Sequence, residues 1–499
     1  MSSALEDQCL IYNDIPFGPV ILPPKLARLC KTREFLRIHQ IKQLSTIYLL
    51  YPHARHTRAD HCIGVYALLR YFLDSLPAEE LDALSQPDHF CLYAAGLLHD
   101  IGHSAWSHVG EEFTKFRQSH ISHDMLSVRL VAGDLLGSEL SIPDDYFSRW
   151  SNCRPMASLL EDEEKKDKIT HRRAIARLIL GLTPWLTEDY AAAELTTSDK
   201  VQLIRAKQWM GKLIHSDFDF DRADFLRRDS FHTLGLPSIS DPASLLTKLK
   251  IERTHYTSEI ALLDVPIAES FLIFHELMYP AVYLNDQNLI VEELLQRAMD
   301  RAFPKDMDMM QFWFSTDEAV LHQLEESTDP IVSRIMRVIN ERAFYQCTTR
   351  TFSNLPPECV NNLKKLTVLK NELPQLERAI EEKARQRGIQ LQEGDVVLGI
   401  TVKKSSHEEI KVMTPSGLSV LANESRLVDT LNTEQYKSSR SRLVVGIRPC
   451  YDLSTNRSIM DIAIDEIQKT KVDPFKVDSL KEEQNKVERE LIKKLGGGW

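Results

Sequence analysis

Ten of the chain's 17 histidines fall within 85 residues: His39, His53, His56, His61, His89, His99, His103, His108, His120 and His123. Imidazole is the commonest transition-metal ligand and titrates near neutrality, so this concentration points to a metal or acid–base site. His99-Asp100 lies in the segment 90–108, where Cys91, Ala95 and Leu98 form an apolar stripe and Gly102 supplies a stop. The doublet therefore ends a buried helix. An unpaired aspartate buried there costs roughly several kcal/mol, which a cation would offset. A third stretch carries five aspartates, Asp217, Asp219, Asp221, Asp224 and Asp229, with Asp221, Phe225 and Asp229 on one helical face. Such crowding asks for counter-charge, from Arg222, Arg227 and Arg228 or from a metal.

The positioning elements follow from periodicity. Residues 58–76 place His61, Val65, Leu68, Phe72 and Leu76 on a common stripe, so His61 faces inward at a helix start. Each feature alone also has a plain structural reading, as a hydrogen-bonded core histidine or as helix capping and surface ion pairs. Cys62 has no second thiol nearby in sequence and reads as core. The stripe Leu289-Ile-Val-Glu-Glu-Leu-Leu-Gln296 reads as helix packing.

The chain has 499 residues, 43% of them apolar, enough for a substantial core and about three domains or one large domain with appendages. Its net charge of −11 disfavours a general attraction to nucleic acid or anionic membranes. Eight scattered cysteines without a CxxC pair suit a reducing interior. No 18-residue apolar run appears, and the first residues lack a signal-peptide pattern, so the expectation is a soluble, cytoplasmic protein with no membrane partner. The fold class expected is mainly α. Residues 1–24 read as an extended segment or hairpin and 25–350 as a helical body, with the candidate centre in 58–229. Residues 351–465 read as a small α+β subdomain, with strands within 394–445, and 466–499 as a charged helical tail that frays.

In order and spacing these pieces resemble the HD-domain phosphohydrolase superfamily: a histidine, then a His-Asp doublet ending a buried helix, then a distant aspartate. More narrowly, the chain is similar to the deoxynucleoside triphosphate triphosphohydrolases, mammalian and bacterial, without the SAM domain of the mammalian members. The resemblance rests on Asn13-Asp14, on Lys31 through Leu44 and on Thr57-Arg-Ala-Asp-His61. It continues through Leu98-His-Asp-Ile-Gly-His103, Ser107-His108, Ser122-His-Asp124, Phe218 through Asp229 and Met278 through Tyr283. It covers about 13–302.

The resemblance implies metal ligands at His61, His99, Asp100 and Asp221. It puts catalytic and phosphate contacts at Arg58, His103, His108, His123, Arg222 and Asp229, with Asp124 orienting His123. Gln43 and Leu44 fall near the sugar and Tyr283 near the nucleoside. Arg222, Phe225 and Leu284 depart from the mammalian pattern, and Lys31, Leu36 and His39 do not match its activating-nucleotide residues.

What this implies is metal-dependent hydrolysis of deoxynucleoside triphosphates to deoxynucleoside and inorganic triphosphate. Arg58 and Arg222 would hold the triphosphate, and His108 or His123 would act as general acid. The cofactor is one divalent ion, Mn, Mg, Fe or Zn, with a second entering alongside the triphosphate as a further option. The partners implied are deoxynucleoside triphosphates and further copies of the chain, in a dimer or tetramer. Two alternatives stay open: action on another nucleotide or nucleic-acid phosphoester, and a non-catalytic nucleotide-binding oligomer.

Overall fold

The computed structural model describes residues 8–496 apart from 118–121, 138–139, 141, 168–169, 187–188, 190–195, 237–247, 254–256 and 404–408. His120 and the closing residues 497–499 lie outside the described residues. The fold is mainly α, with an amino-terminal hairpin and a small α+β part.

The hairpin, β1 (Leu10–Asp14) and β2 (Gly18–Leu22), pairs antiparallel with Tyr12 opposite Val20. It lies on the first long helix, α1 (Arg58–Ser75), where the Tyr66 hydroxyl donates to the Ile21 carbonyl at 3.0 Å. A reciprocal cap fixes the start of α1: the Thr57 N–H donates to Asp60 Oδ2 at 2.6 Å, and the Asp60 N–H to Thr57 Oγ1 at 3.3 Å. Arg58 and His61 are thereby locked inward in the first turn. α2 (Gln86–Leu98) opens on a matching Ser85–Asp88 cap and ends with His99 as its carboxy-terminal cap.

Beyond α2 come α3 (Ser107–Phe116), α4 (His123–Ala132), α5 (His171–Ile179) and α6 (Phe220–Leu234). α6 packs directly on α1, and Gly64 permits it, because a Cβ there would run into the Asp224 carboxylate. The carboxylates of α6 are thus drawn up to His61. One large apolar cluster, including Val65, Leu68, Phe72, Ala95 and Leu98, fills the space beneath these helices.

Two further sheets and a second series of helices follow. A hairpin, β3 (Leu249–Arg253) and β4 (Ser258–Leu262), precedes α7 (Val265–Met278), one π-helical turn (Tyr279–Tyr283), α8 (Asp286–Ala302) and α9 (Asp317–Glu325). Then come β5 (Gln346–Thr351), α10 (Leu373–Gln386), β6 (Val396–Thr401), β7 (Lys411–Thr414), β8 (Gly417–Val420), β9 (Arg442–Ile447) and α11 (Leu453–Lys469), which packs on α10.

The strands expected within 394–445 do not form one unit. β6 joins β9 and β5 in an antiparallel sheet, whereas β7 and β8 extend the β3–β4 hairpin, with Leu262 of β4 beside Val412 of β7 in parallel. That hairpin interrupts the stretch read as helical. It is short, and its alternation of Leu249 and Ile251 with Lys250 and Glu252 spans only a few residues. The last helix, α12 (Pro474–Lys494), departs from the fraying tail expected: Leu491 and Leu495 are buried in the main core, and Arg177 Nη1 donates to the Leu495 carbonyl at 2.9 Å. Among the described residues no helix is long and apolar enough to cross a membrane.

Candidate metal centre and adjoining cavity

The start of α1, the end of α2 and the first turn of α6 meet at one buried point. His61 Nε2 lies 3.2 Å from His99 Nε2 and 2.9 Å from Asp221 Oδ1, and His99 Nε2 lies 3.8 Å from the same oxygen. Asp100 stands at the edge of this group, its oxygens 3.5 Å from His99 Nε2 and 3.7 Å from His61 Nε2, while Oδ2 is held by Arg58 Nη1 at 2.6 Å.

The donor set tests itself. His99 Nδ1 lies 2.9 Å from the Gly96 carbonyl, which can only accept, so the proton of neutral His99 sits on Nδ1. His61 Nδ1 faces Asp224 Oδ2 at 2.7 Å, which places its proton likewise. Both Nε2 lone pairs then point at each other and at a carboxylate. Three acceptors in contact have no hydrogen bond to make and fit a cation between them. With only a proton available, burial lowers the His61 imidazole, but hydrogen bonds and charge from Asp221 and Asp224 outweigh it and push it up to about 10. For Asp100, burial is likewise overcome by His99, His103 and Arg58, which hold its carboxyl well below the usual range.

Behind the group runs a relay of charges. Arg228 Nε and Nη2 donate to the two Asp224 oxygens, each at 2.9 Å, and its Nη1 donates to Asp14 Oδ2 at 2.7 Å. His61 is therefore oriented by a carboxylate that is itself pinned to the end of β1. On the other side the buried Arg37 guanidinium donates to the carbonyls of Ile101 and His103, at 3.0 and 2.5 Å, fixing the loop that leaves the doublet.

A second histidine group adjoins the first. His103 and His123 stack with ring centroids 3.9 Å apart and planes 13° from parallel, and His108 meets both edge-on. Glu111 supports the group, its Oε2 lying 2.8 Å from His123 Nδ1 and 3.5 Å from His108 Nδ1. Asp124, expected to orient His123, is farther, at 3.4 Å from Nε2. Burial lowers His123, yet the charges of Asp124 and Glu111 prevail and push it up to about 10. His103 goes the other way: burial, reinforced by Arg58 and His123, holds it well below the ordinary histidine value, and among the described residues its Nδ1 has no hydrogen-bond partner.

Both groups face a cavity of about 410 Å³ lined by Gln43, Leu44, Arg58, Asp100, His103, His108, His123, Asp221, Asp229 and Tyr283. Arg58 is fixed there by Asp100, by Ser107 Oγ at 3.1 Å and by the Gln43 carbonyl at 3.3 Å. Asp229 accepts from the Tyr283 hydroxyl at 2.8 Å and lies 2.7 Å from His56 Nε2. Arg222 is not in the cavity wall; its guanidinium is bound by the Ser216 carbonyl and by Asp219.

Residues 58–180 match the family model for the HD domain, and 243–451 match that for the HD associated region. The chain carries an HD domain followed by an HD associated region. It is 28% identical over 314 residues to an uncharacterised protein of Mycoplasma pneumoniae, covering 62% of this chain and 64% of that one. Over 387 residues it is 22% identical to the deoxynucleoside triphosphate triphosphohydrolase SAMHD1 of Danio rerio, covering 71% and 57%. The chain spans about three fifths of the length of the curated relatives it matches. Among solved structures it superposes on a hypothetical protein from Aquifex aeolicus with a TM-score of 0.61 at 19% identity, over 92% of this chain and 100% of that one. A phosphohydrolase from Bacteroides thetaiotaomicron gives 0.61 at 18%, over 88% and 100%. These likenesses establish the fold.

Sequence reasoning gave no role to Glu111, Arg37 and Tyr279, named Asp224 and Arg228 only as members of a charge-crowded stretch, and misread Glu292. The stripe 289–296 is helix packing except at Glu292, which lines the cavity and takes a hydrogen bond from Asn288 Nδ2 at 2.8 Å. Burial pushes its carboxyl up to about 7, against the charge of Lys370. A signal was available: Glu292 and Glu293 are adjacent acids inside the apolar stripe 289–296, and a pair of such acids calls for two separate partners.

Proposed function

We propose that this HD-domain protein is a metal-dependent phosphohydrolase acting on deoxynucleoside triphosphates, releasing the deoxynucleoside and inorganic triphosphate. The observation that carries the reading is a single cavity with three zones: the Asp100 and Asp221 carboxylates that adjoin the His61–His99 pair, a cationic zone of Arg58 and His123, and an aromatic wall of Phe225, Tyr279 and Tyr283. Its size and mixed lining suit a nucleotide-sized ligand. The SAMHD1 relatives point the same way.

His61, His99, Asp100 and Asp221 would hold one divalent ion, which supplies Lewis-acid polarisation of a phosphate oxygen and a more acidic bound water. The chain's own residues do the rest. Arg58, pre-oriented by Asp100 and Ser107, offers its charge to the phosphates. His123, kept protonated by Glu111 and Asp124, stands as phosphate contact or proton donor to the departing 5′-oxygen, and the exposed His108 is placed to share that role. His103, kept neutral by burial, stacks on the His123 ring and sets its orientation in the cavity wall. The aromatic wall and Leu44 pack the nucleoside, and Asp229, held by His56 and Tyr283, accepts from a sugar hydroxyl.

The test is product analysis. Incubation with each deoxynucleoside triphosphate and Mn²⁺ or Mg²⁺ is expected to yield free deoxynucleoside and inorganic triphosphate in equal amounts. Release of orthophosphate, pyrophosphate or a nucleoside monophosphate instead would overturn the reading in favour of another phosphoester substrate.

A further inference from the structure

Among the described residues four non-glycine residues have a left-handed backbone: Ser45 (φ 47°), Trp106 (φ 61°), Ser107 (φ 52°) and Arg342 (φ 55°). Ser45 and Ser107 line the cavity, and Trp106 adjoins Ser107. Such backbone is costly for residues with a Cβ and persists only where the surroundings over-determine it. For Trp106 and Ser107 the surroundings meet at one buried side chain. Asp317, the first residue of α9, is 1% exposed. Its Oδ1 accepts the Trp106 N–H at 2.7 Å, and its Oδ2 accepts the Lys42 N–H at 2.9 Å.

The Lys42 carbonyl in turn accepts from Ser107 Oγ at 2.7 Å, closing a ring through Asp317, Lys42, Ser107 and Trp106. Gln43 and Leu44 leave one side of that ring, and His108 leaves the other. Burial pushes the Asp317 carboxyl up, and the Lys42 charge and the two N–H bonds oppose it, so the carboxylate is held by the very groups it spaces.

We propose that Asp317 is a positioning residue that fixes the distance between the cavity wall bearing Gln43 and Leu44 and the wall bearing His108, and so governs alignment of the ligand. The inference rests on the phosphohydrolase reading of this cavity. Asp317 acts through the Lys42 and Trp106 amides, with the Lys42 ammonium 3.5 Å from Oδ2, and both its oxygens are needed.

The experiment compares Asp317→Ala and Asp317→Asn with Thr316→Ala. Thr316 caps the same helix through the Ala319 N–H at 3.3 Å, so its loss loosens α9 without removing either bond of Asp317. Expected are a fall in kcat/KM of about tenfold or more for Asp317→Ala, a smaller fall for Asp317→Asn, wild-type kcat/KM for Thr316→Ala, and unchanged metal content in all three. The amide of the Asn side chain keeps one acceptor and turns an N–H against the second donor, hence its intermediate place. Hydrogen exchange supplies a readout independent of substrate: the Lys42 and Trp106 amides lose protection in both Asp317 variants while α1 and α2 keep theirs. Unchanged protection at those two amides, or an equal loss of kcat/KM in Thr316→Ala, overturns the proposal. If the wild type hydrolyses no nucleotide but the amides respond as expected, the clamp stands and the phosphohydrolase reading falls.

Discussion

His61 and His99 turn nitrogen atoms toward each other, 3.2 Å apart, whereas His103 and His123 turn ring faces, 3.9 Å apart. Both pairs are histidines from helix ends or loops beside one cavity, yet their surroundings give them opposite tasks. In the first pair each outer nitrogen is tied to an acceptor, so both inner lone pairs are exposed to a common point. In the second, Glu111 and Asp124 make one ring cationic while burial keeps the other neutral, so the stack presents charge and a proton in place of a lone pair. Residue type alone therefore does not assign a histidine. The partner on its far nitrogen does.

The largest expected effect breaks the first pair. Asp221→Ala, His61→Ala and Asp100→Ala should each bring bound metal and hydrolysis to background while far-UV circular dichroism keeps its helical amplitude. Elemental analysis beside a turnover assay checks this, and full activity in Asp100→Ala would remove that residue from the ligand set. Asp100 is the informative member, because Arg58 competes for it at 2.6 Å. Its removal also strips Arg58 of its partner.

Breaking the second pair should leave the metal in place. His123→Gln is expected to lower kcat by about 10²-fold with metal content unchanged, and single-turnover kinetics separates this from slower product release. A variant that loses metal as well would place His123 in the centre itself and erase the distinction between the two pairs.

These contrasts show what the sequence could and could not disclose. His61, the His99-Asp100 doublet and Asp221 were legible because helical periodicity and capping fix where each sits on its own helix. The hairpin within the first 24 residues was legible because Pro16, Gly18 and Pro19 stand among apolar residues there. The histidine-orienting roles of Glu111 and Asp224 were not, since nothing local marks either acid for that role until the fold brings a histidine nitrogen within 2.8 or 2.7 Å. Arg222 illustrates the converse: its position matches a phosphate-binding pattern, but the nearby Asp219 and the Ser216 carbonyl bind it first. Asp317 lies more than 200 residues from the Trp106 amide it holds, a contact that no local pattern encodes.

A smaller effect sharpens the role of the far nitrogen. Asp224→Asn should weaken metal binding by about 10–100-fold and leave Arg228 buried with only Asp14 as a charged partner, lowering stability by about 3–5 kcal/mol at most. Metal titration and urea unfolding measure the two parts separately. Loss of stability without loss of metal affinity would make Asp224 a core ion-pair member that does not tune His61.

The smallest effect is a pH dependence that the second pair carries in the metal-loaded protein. A histidine raised to about 10 in the folded protein binds its proton more tightly there than in the unfolded chain. Its contribution to stability is complete below the unfolded value of about 6.5 and is lost as the pH rises through the folded value. The difference in Tm between wild type and His123→Gln should therefore be greatest near pH 6 and shrink steadily toward pH 10. Glu111→Gln should flatten the same curve, because it removes one of the two charges that hold the proton on the ring. A difference that stays constant across that window would mean that His123 is neutral in the folded state, and the cavity would then lose the cation that separates its two histidine pairs.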